Sequence, residues 1–163
     1  AEARRDLPND VIPYLGGMLR LRFEEGRRYA VQRTECELCL ILPNAHEERN
    51  RKTALKRWEK GESSALMTAA LERVYPAFVP FGVPKPTMRF RAMKSRWGSC
   101  IPSKGVVTLN TRLLAYPVDC IEYILIHELC HFLQADHSAK FYAWMDHFLP
   151  NWRETRKKLT KRK

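Results

Sequence analysis

Five consecutive residues, His127-Glu128-Leu129-Cys130-His131, bring together the side chains of this sequence best suited to joint chemistry. Residues four apart share one face of an α-helix, one turn above the other, so the two imidazoles can close on a single metal ion. Glu128 flanks that face, within reach of a metal-activated water whose proton it can take. These roles are the equipment of a zinc hydrolase, which also needs a third protein ligand and a coordination position left open. His137 is the candidate for that ligand. Asp136 or Ser138 can cap a following helix, Ala139 to Phe148, and a sharp turn ahead of it would swing the His137 ring back toward the other two.

So short a pattern also arises by chance, and the helix needs its own support. Pro117 suits a first helical position, Asp119 and Glu122 favour the positive end of the helix dipole, and the run from Val118 to Leu133 is apolar on nearly every face. The expectation is one buried helix over Ile121 to Leu133. Burial sharpens the case, because two histidines and a carboxylate among Ile121, Ile124, Leu125, Ile126, Leu129 and Leu133 need partners to offset desolvation, and a metal supplies one. The spacing from His131 to His137 equals that of the metzincin pattern, but Gln134 stands where that pattern has Gly. A shorter three-histidine zincin is expected instead.

The elements that must position these residues divide the chain into an N-terminal tail with a small β-meander, residues 1–45, and the domain carrying the histidines, residues 46–163. Pro8, Pro13, Gly16 and Gly17 punctuate the first seventeen residues as loop or tail. Alternation then predicts three antiparallel strands: Leu19, Leu21 and Phe23; Tyr29 and Val31; and Cys36, Leu38, Leu40 and Leu42. Cys36 and Cys39 spell C-x-x-C, yet residues three apart on a strand face opposite ways and no second such pair exists, so structural cysteines are expected. A long connecting helix follows from about Glu47 to Tyr75, with Leu55, Trp58, Leu66, Ala70 and Val74 inward, a basic outer face and a break or bend at Gly61. Prolines 76, 80, 84 and 86 mark a linker, and strands are expected at Thr87 to Met93 and Val106 to Asn110 around a loop, Lys94 to Lys104. Their exposed edge could hold an extended peptide across the metal.

With 163 residues and 45% hydrophobic content the chain can build a sizeable core. Twenty-nine Lys and Arg against eighteen Asp and Glu give a net charge of +11, which admits non-specific nucleic acid as a partner, and the basic end from Arg153 to Lys163 reads first as a solubilising tail. Five cysteines, an odd number, with no signal peptide and no membrane-length apolar run, point to free thiols in a cytoplasmic, non-membrane protein.

Lys94-Ser95-Arg96-Trp97-Gly98-Ser99-Cys100, Leu109-Asn110, the His127 to His131 motif, and His137-Ser138 with Phe141 and Pro150 together resemble the YgjP-like metallopeptidases, relatives of the SprT-like DNA-associated proteases. The resemblance covers roughly the last half of the chain. It implies an α+β, zincin-like metallopeptidase domain, with His127, His131 and His137 as Zn2+ ligands, Glu128 as general base and a peptide or protein as substrate. Trp97 and Cys100 are expected to pack, while Tyr116, Tyr123, Tyr142 and Arg96 are candidates for stabilising the oxyanion. Two rival readings are a basic, SprT-like nucleic-acid-associated module and a structural zinc domain. The second would need a closed fourth ligand, for which Cys130, about 60° from His127 around the helix, is the nearest soft donor. His46 and His147 read as surface residues.

Overall fold

The computed structural model describes residues 10–160; the start of the expected tail and the basic residues Lys161, Arg162 and Lys163 lie outside them. Part of the segment expected to be tail is instead a hairpin. Strand β1 (Val11–Tyr14) pairs antiparallel with β2 (Gly17–Glu25) through a two-residue turn with φ of 48° at Leu15 and 84° at Gly16. Positive φ at both central residues gives the twist that tight hairpins need. The hairpin tip is tied to the chain ahead of the motif helix: Leu15 N–H donates to Leu114 O at 2.7 Å and Gly16 N–H to Ala115 O at 3.0 Å. A Cβ on Gly16 would meet Pro117 Cγ at 2.9 Å, so only a bare backbone can approach that closely.

Strands β3 (Ala30–Arg33) and β4 (Glu37–Leu42) complete the first sheet, but not as an antiparallel meander. The order is β1-β2-β4-β3, with β4 parallel to β2 and antiparallel to β3. Composition explains the correction. Leu38, Cys39 and Leu40 are all buried, so β4 is apolar on both faces, whereas every residue of β3 is exposed. The apolar strand takes the interior place with partners on both sides, and the polar strand takes the edge. Cys36, just ahead of β4, is exposed, and Cys39 within it is buried.

Helix α1 (Glu48–Val74) runs through Gly61 without a break, since a Cβ there would meet nothing and the residue faces solvent. Its buried stripe is Ala54, Trp58, Ser63, Met67, Ala70 and Leu71, with Leu55, Leu66 and Val74 partly buried beside it. The expected linker is a 3₁₀ segment, Tyr75–Phe81, that buries Phe78. Strands β5 (Thr87–Arg91) and β7 (Val106–Asn110) match the two expected, and β6 (Gly98–Ile101) arises inside the expected loop. The second sheet has the order β5-β7-β6, parallel between β5 and β7 and antiparallel between β6 and β7.

Helix α2 (Val118–Cys130) carries the motif, with Pro117 as its N-cap and not its first residue. It ends three residues before the expected Leu133, but His131 keeps helical angles, φ −67° and ψ −16°, so the one-turn relation between the two histidines survives. Helix α3 (Ala139–Phe148) agrees with its expected bounds. The basic end forms a further helix, α4 (Trp152–Thr160), which the sequence reading missed by weighing its charge and passing over a stripe that can be buried. Trp152, Thr155 and Leu159, at helical spacing, are buried, and Lys158 pairs with Asp119 in the first turn of α2. Replacing Leu159 with Ala is therefore expected to cost about 2 kcal/mol, read as a lower denaturation midpoint at unchanged slope. A loss under about 0.5 kcal/mol would show that α4 does not brace α2.

Candidate metal centre

Helix α2 packs against α1, α3, α4 and the second sheet. Its motif face opens on a cavity of about 740 Å³ lined by β6, α3 and α4. Among the described residues, the ring nitrogens of His127, His131 and His137 lie within 4.8 Å of one another. His127 Nε2 and His137 Nε2 are 3.2 Å apart. Two nitrogens each about 2.0–2.1 Å from one tetrahedral zinc would stand roughly 3.3 Å apart, so the spacing fits a shared metal. His131 Nδ1 lies 3.2 Å from Gln134 O. Donation of its proton to that carbonyl leaves the Nε2 lone pair for a cation, the arrangement that orients metal-binding histidines elsewhere.

The turn after α2 brings His137 back as its spacing suggested, and the packing beneath it was not foreseen. Phe141, fully buried in the first turn of α3, lies under all three imidazoles, at 4.8 Å from His127, 4.6 Å from His131 and 5.0 Å from His137. Burial and the neighbouring imidazoles lower the pKa of His127 to about 4, and burial lowers that of His131, so both rings are neutral near pH 7.

Glu128 is 6% exposed and borders the cavity beside the histidines. A Cβ on Gly98 would meet Glu128 Cγ at 3.0 Å and Ile124 Cγ2 at 3.1 Å, so the β6 backbone lies directly on the carboxylate arm. Burial raises the Glu128 pKa from 4.5 to about 7 in the metal-free protein, while Arg96 opposes the shift. Asn110, at the end of β7 and 2% exposed, fixes the segment leading into β6. Its Nδ2 donates to Met93 O and Arg96 O, both at 2.9 Å, and its Oδ1 accepts from Met93 N–H at 3.3 Å. A buried Asn needs such partners. The sequence singled out Asn110 through Leu109-Asn110 in the family resemblance, but nothing in it showed the segment that its side chain fixes.

Other candidates lie elsewhere or in lesser places. Trp97 and Cys100 pack on the core and also border the cavity, and burial pushes the Cys100 thiol up to about 12. Tyr123, Tyr142 and Arg96 line the cavity; Tyr116 instead packs edge-on against Trp97 at 5.1 Å. Asp146 accepts from Trp152 Nε1 at 2.9 Å and from Arg153, apart from the histidines. Cys130 is fully buried in the core, its thiol pushed up to about 12, and His46 and His147 are exposed outside the cluster. Arg156 of α4 also lines the cavity and was missed, because its stretch read as a tail.

A helix carrying two histidines one turn apart and a carboxylate, a returning third histidine and a strand laid along the same cavity are the arrangement of a metallopeptidase. Residues 1–162 match the YgjP-like metallopeptidase domain, and the chain belongs to that family. Among solved structures, the metallopeptidase zymogen abylysin of Pyrococcus abyssi is 23% identical, with a TM-score of 0.51 over 58% of this chain and 92% of that one. The metallopeptidase zymogen jannalysin of Methanocaldococcus jannaschii is 17% identical, with a TM-score of 0.49 over 58% of this chain and 94% of that one. A search of curated proteins gave no match.

The pKa shifts have a testable consequence for the metal-free protein. Between pH 4.5 and about 7 the folded chain keeps a proton on Glu128 that the unfolded chain releases, so this group's contribution to stability falls as pH rises through that window. His127 acts in the opposite sense, with stability falling as pH drops from 6.5 toward about 4. Glu128→Gln removes only the first effect. In chelator-treated protein its stability gain over wild type is expected to be larger at pH 8 than at pH 5, by on the order of 2 kcal/mol. Equal gains at both pH values in denaturant titrations would contradict the assignment.

Proposed function

We propose that the protein is a zinc-dependent peptidase in which His127, His131 and His137 hold Zn2+ and Glu128 is the general base. The observation that carries this reading is the convergence of three imidazoles, nitrogens within 4.8 Å, beside a buried carboxylate in an open cavity. Bound zinc would supply a water with a pKa near about 7 and Lewis-acid polarisation of the scissile carbonyl. Glu128 takes the proton of the attacking water and passes it to the leaving amine. The β6 backbone at Gly98 lies against the Glu128 side chain and confines it while it makes both transfers. Strand β6 is an edge of its sheet and borders the cavity, so an extended peptide can pair with it and present one carbonyl to the histidines. Tyr123 and Tyr142 line the cavity with hydroxyls that can serve the developing oxyanion.

A structural zinc would need a fourth protein ligand, and the burial of Cys130 in the core, with its proton firmly held, speaks against that donor. Five free cysteines support a reducing compartment, and we place the protein in the cytoplasm. No described helix is long and apolar enough to cross a membrane. The +11 charge supports weak, sequence-tolerant contact with nucleic acid as a secondary property.

Glu128→Gln is expected to retain zinc and thermal stability while peptide hydrolysis falls by about 10²- to 10⁴-fold, because glutamine keeps the shape but cannot accept the proton. His137→Ala is expected to lower zinc per chain sharply in elemental analysis. A Gln variant that cleaves at the wild-type rate would remove Glu128 from the mechanism, and unchanged zinc in the Ala variant would remove His137 from the ligand set.

A further inference from the structure

The cavity is unevenly charged. Among the described residues, the charged side chains that line it are Glu128, Arg96 and Arg156, and no Asp or second Glu joins them. They come from different elements. Arg96 stands in the segment before β6, its carbonyl anchored by Asn110 Nδ2 at 2.9 Å, and its charge is felt by Glu128. Arg156 stands on α4, where its charge is felt by Tyr123 and His127. Beside it is an aromatic wall in which Trp152 stacks on Tyr142 at 5.4 Å and on Tyr123 at 6.5 Å. Both arginines are exposed at the cavity rim, within reach of an incoming chain. A guanidinium presents a planar fork that matches a carboxylate, while an ammonium would meet two fixed positive charges near a metal site. The net charge of +11 acts in the same direction at longer range.

We infer that Arg96 and Arg156 make the site selective for peptides that carry a carboxylate close to the bond cut, supplied by an Asp or Glu side chain or by the peptide's own C-terminus. The inference rests on the peptidase reading and names its substrate class.

The test uses the full, zinc-loaded chain. A broad peptide mixture is digested, and the best-cleaved sequence is remade with its acidic residue replaced by the matching amide, with its C-terminus amidated, and with Lys at the acidic position. Loss of the recognised carboxylate is expected to lower kcat/KM by about 10-fold, and the Lys peptide is expected to fall further. Amide replacement and C-terminal amidation show which carboxylate is read. Arg96→Gln and Arg156→Gln are each expected to shrink the acid-to-amide ratio severalfold, and the corresponding Lys variants to restore part of it. A merely structural role would not move that ratio. Peptides cut equally well with and without the carboxylate, or a ratio untouched by both Gln variants, would overturn the inference while leaving the peptidase reading intact. If no peptide is cut, the peptidase reading fails. Binding of the same peptides to Glu128→Gln protein, followed through the fluorescence of Trp97 and Trp152, then decides the inference alone: about 10-fold tighter binding of the acidic form sustains it and equal binding overturns it.

Discussion

Everything in this molecule answers to one electrostatic constraint: three imidazoles and a carboxylate crowd together against a helix that is otherwise apolar. Burial keeps His127 and His131 neutral, which leaves their lone pairs directed at one small volume, and it raises Glu128 to about 7. Such a group is poorly compensated without a cation. A metal ion offsets the desolvation of all the ligands at once, and binding free energies for structural zinc are of the order of 10–16 kcal/mol, larger than the net stability of most domains. The scaffold needs only to hold the donors close enough for a metal to choose the site.

That scaffold works by clamping α2 from several directions with parts far apart in sequence. The β1–β2 hairpin tip bonds to Leu114 and Ala115 just ahead of Pro117, and α4 closes on the same end through the pairing of Lys158 with Asp119. Phe141 sets the floor beneath the rings, while Asn110 and Gly98 bring the β6 backbone onto Glu128. Gly98 is the restraint that touches the carboxylate arm directly. Any side chain there would compete with the Glu128 arm for the same space, so the position of the general base depends on a residue that has no side chain to contribute.

The histidine motif, its helix and the returning His137 were legible because each follows from short-range spacing: helical pitch, a Pro-led apolar run and a capped second helix. The long helix and strands β5 and β7 were legible from periodicity for the same reason. The features that escaped depend on contacts distant in sequence. The placement of β4 between β2 and β3 is decided by which strand is apolar on both faces, a competition that reading strands in chain order cannot settle. Strand β6, only four residues from Gly98 to Ile101, is too short to show alternation and exists by pairing with β7. In α4, Arg153, Arg156, Lys157 and Lys158 hid a buried stripe of Trp152, Thr155 and Leu159. Arg156 shows the cost, since a residue assigned to a solubilising end proves to line the cavity.

The central claim is that one zinc sits among the three imidazoles with a coordination position left for chemistry. Anomalous scattering at the zinc absorption edge from crystals of the protein, purified without chelator, tests it most directly. The expected result is a single strong peak about 2.0–2.1 Å from one ring nitrogen each of His127, His131 and His137, with no fourth protein donor in contact. A peak elsewhere, or one closed by a fourth side chain, would contradict the account.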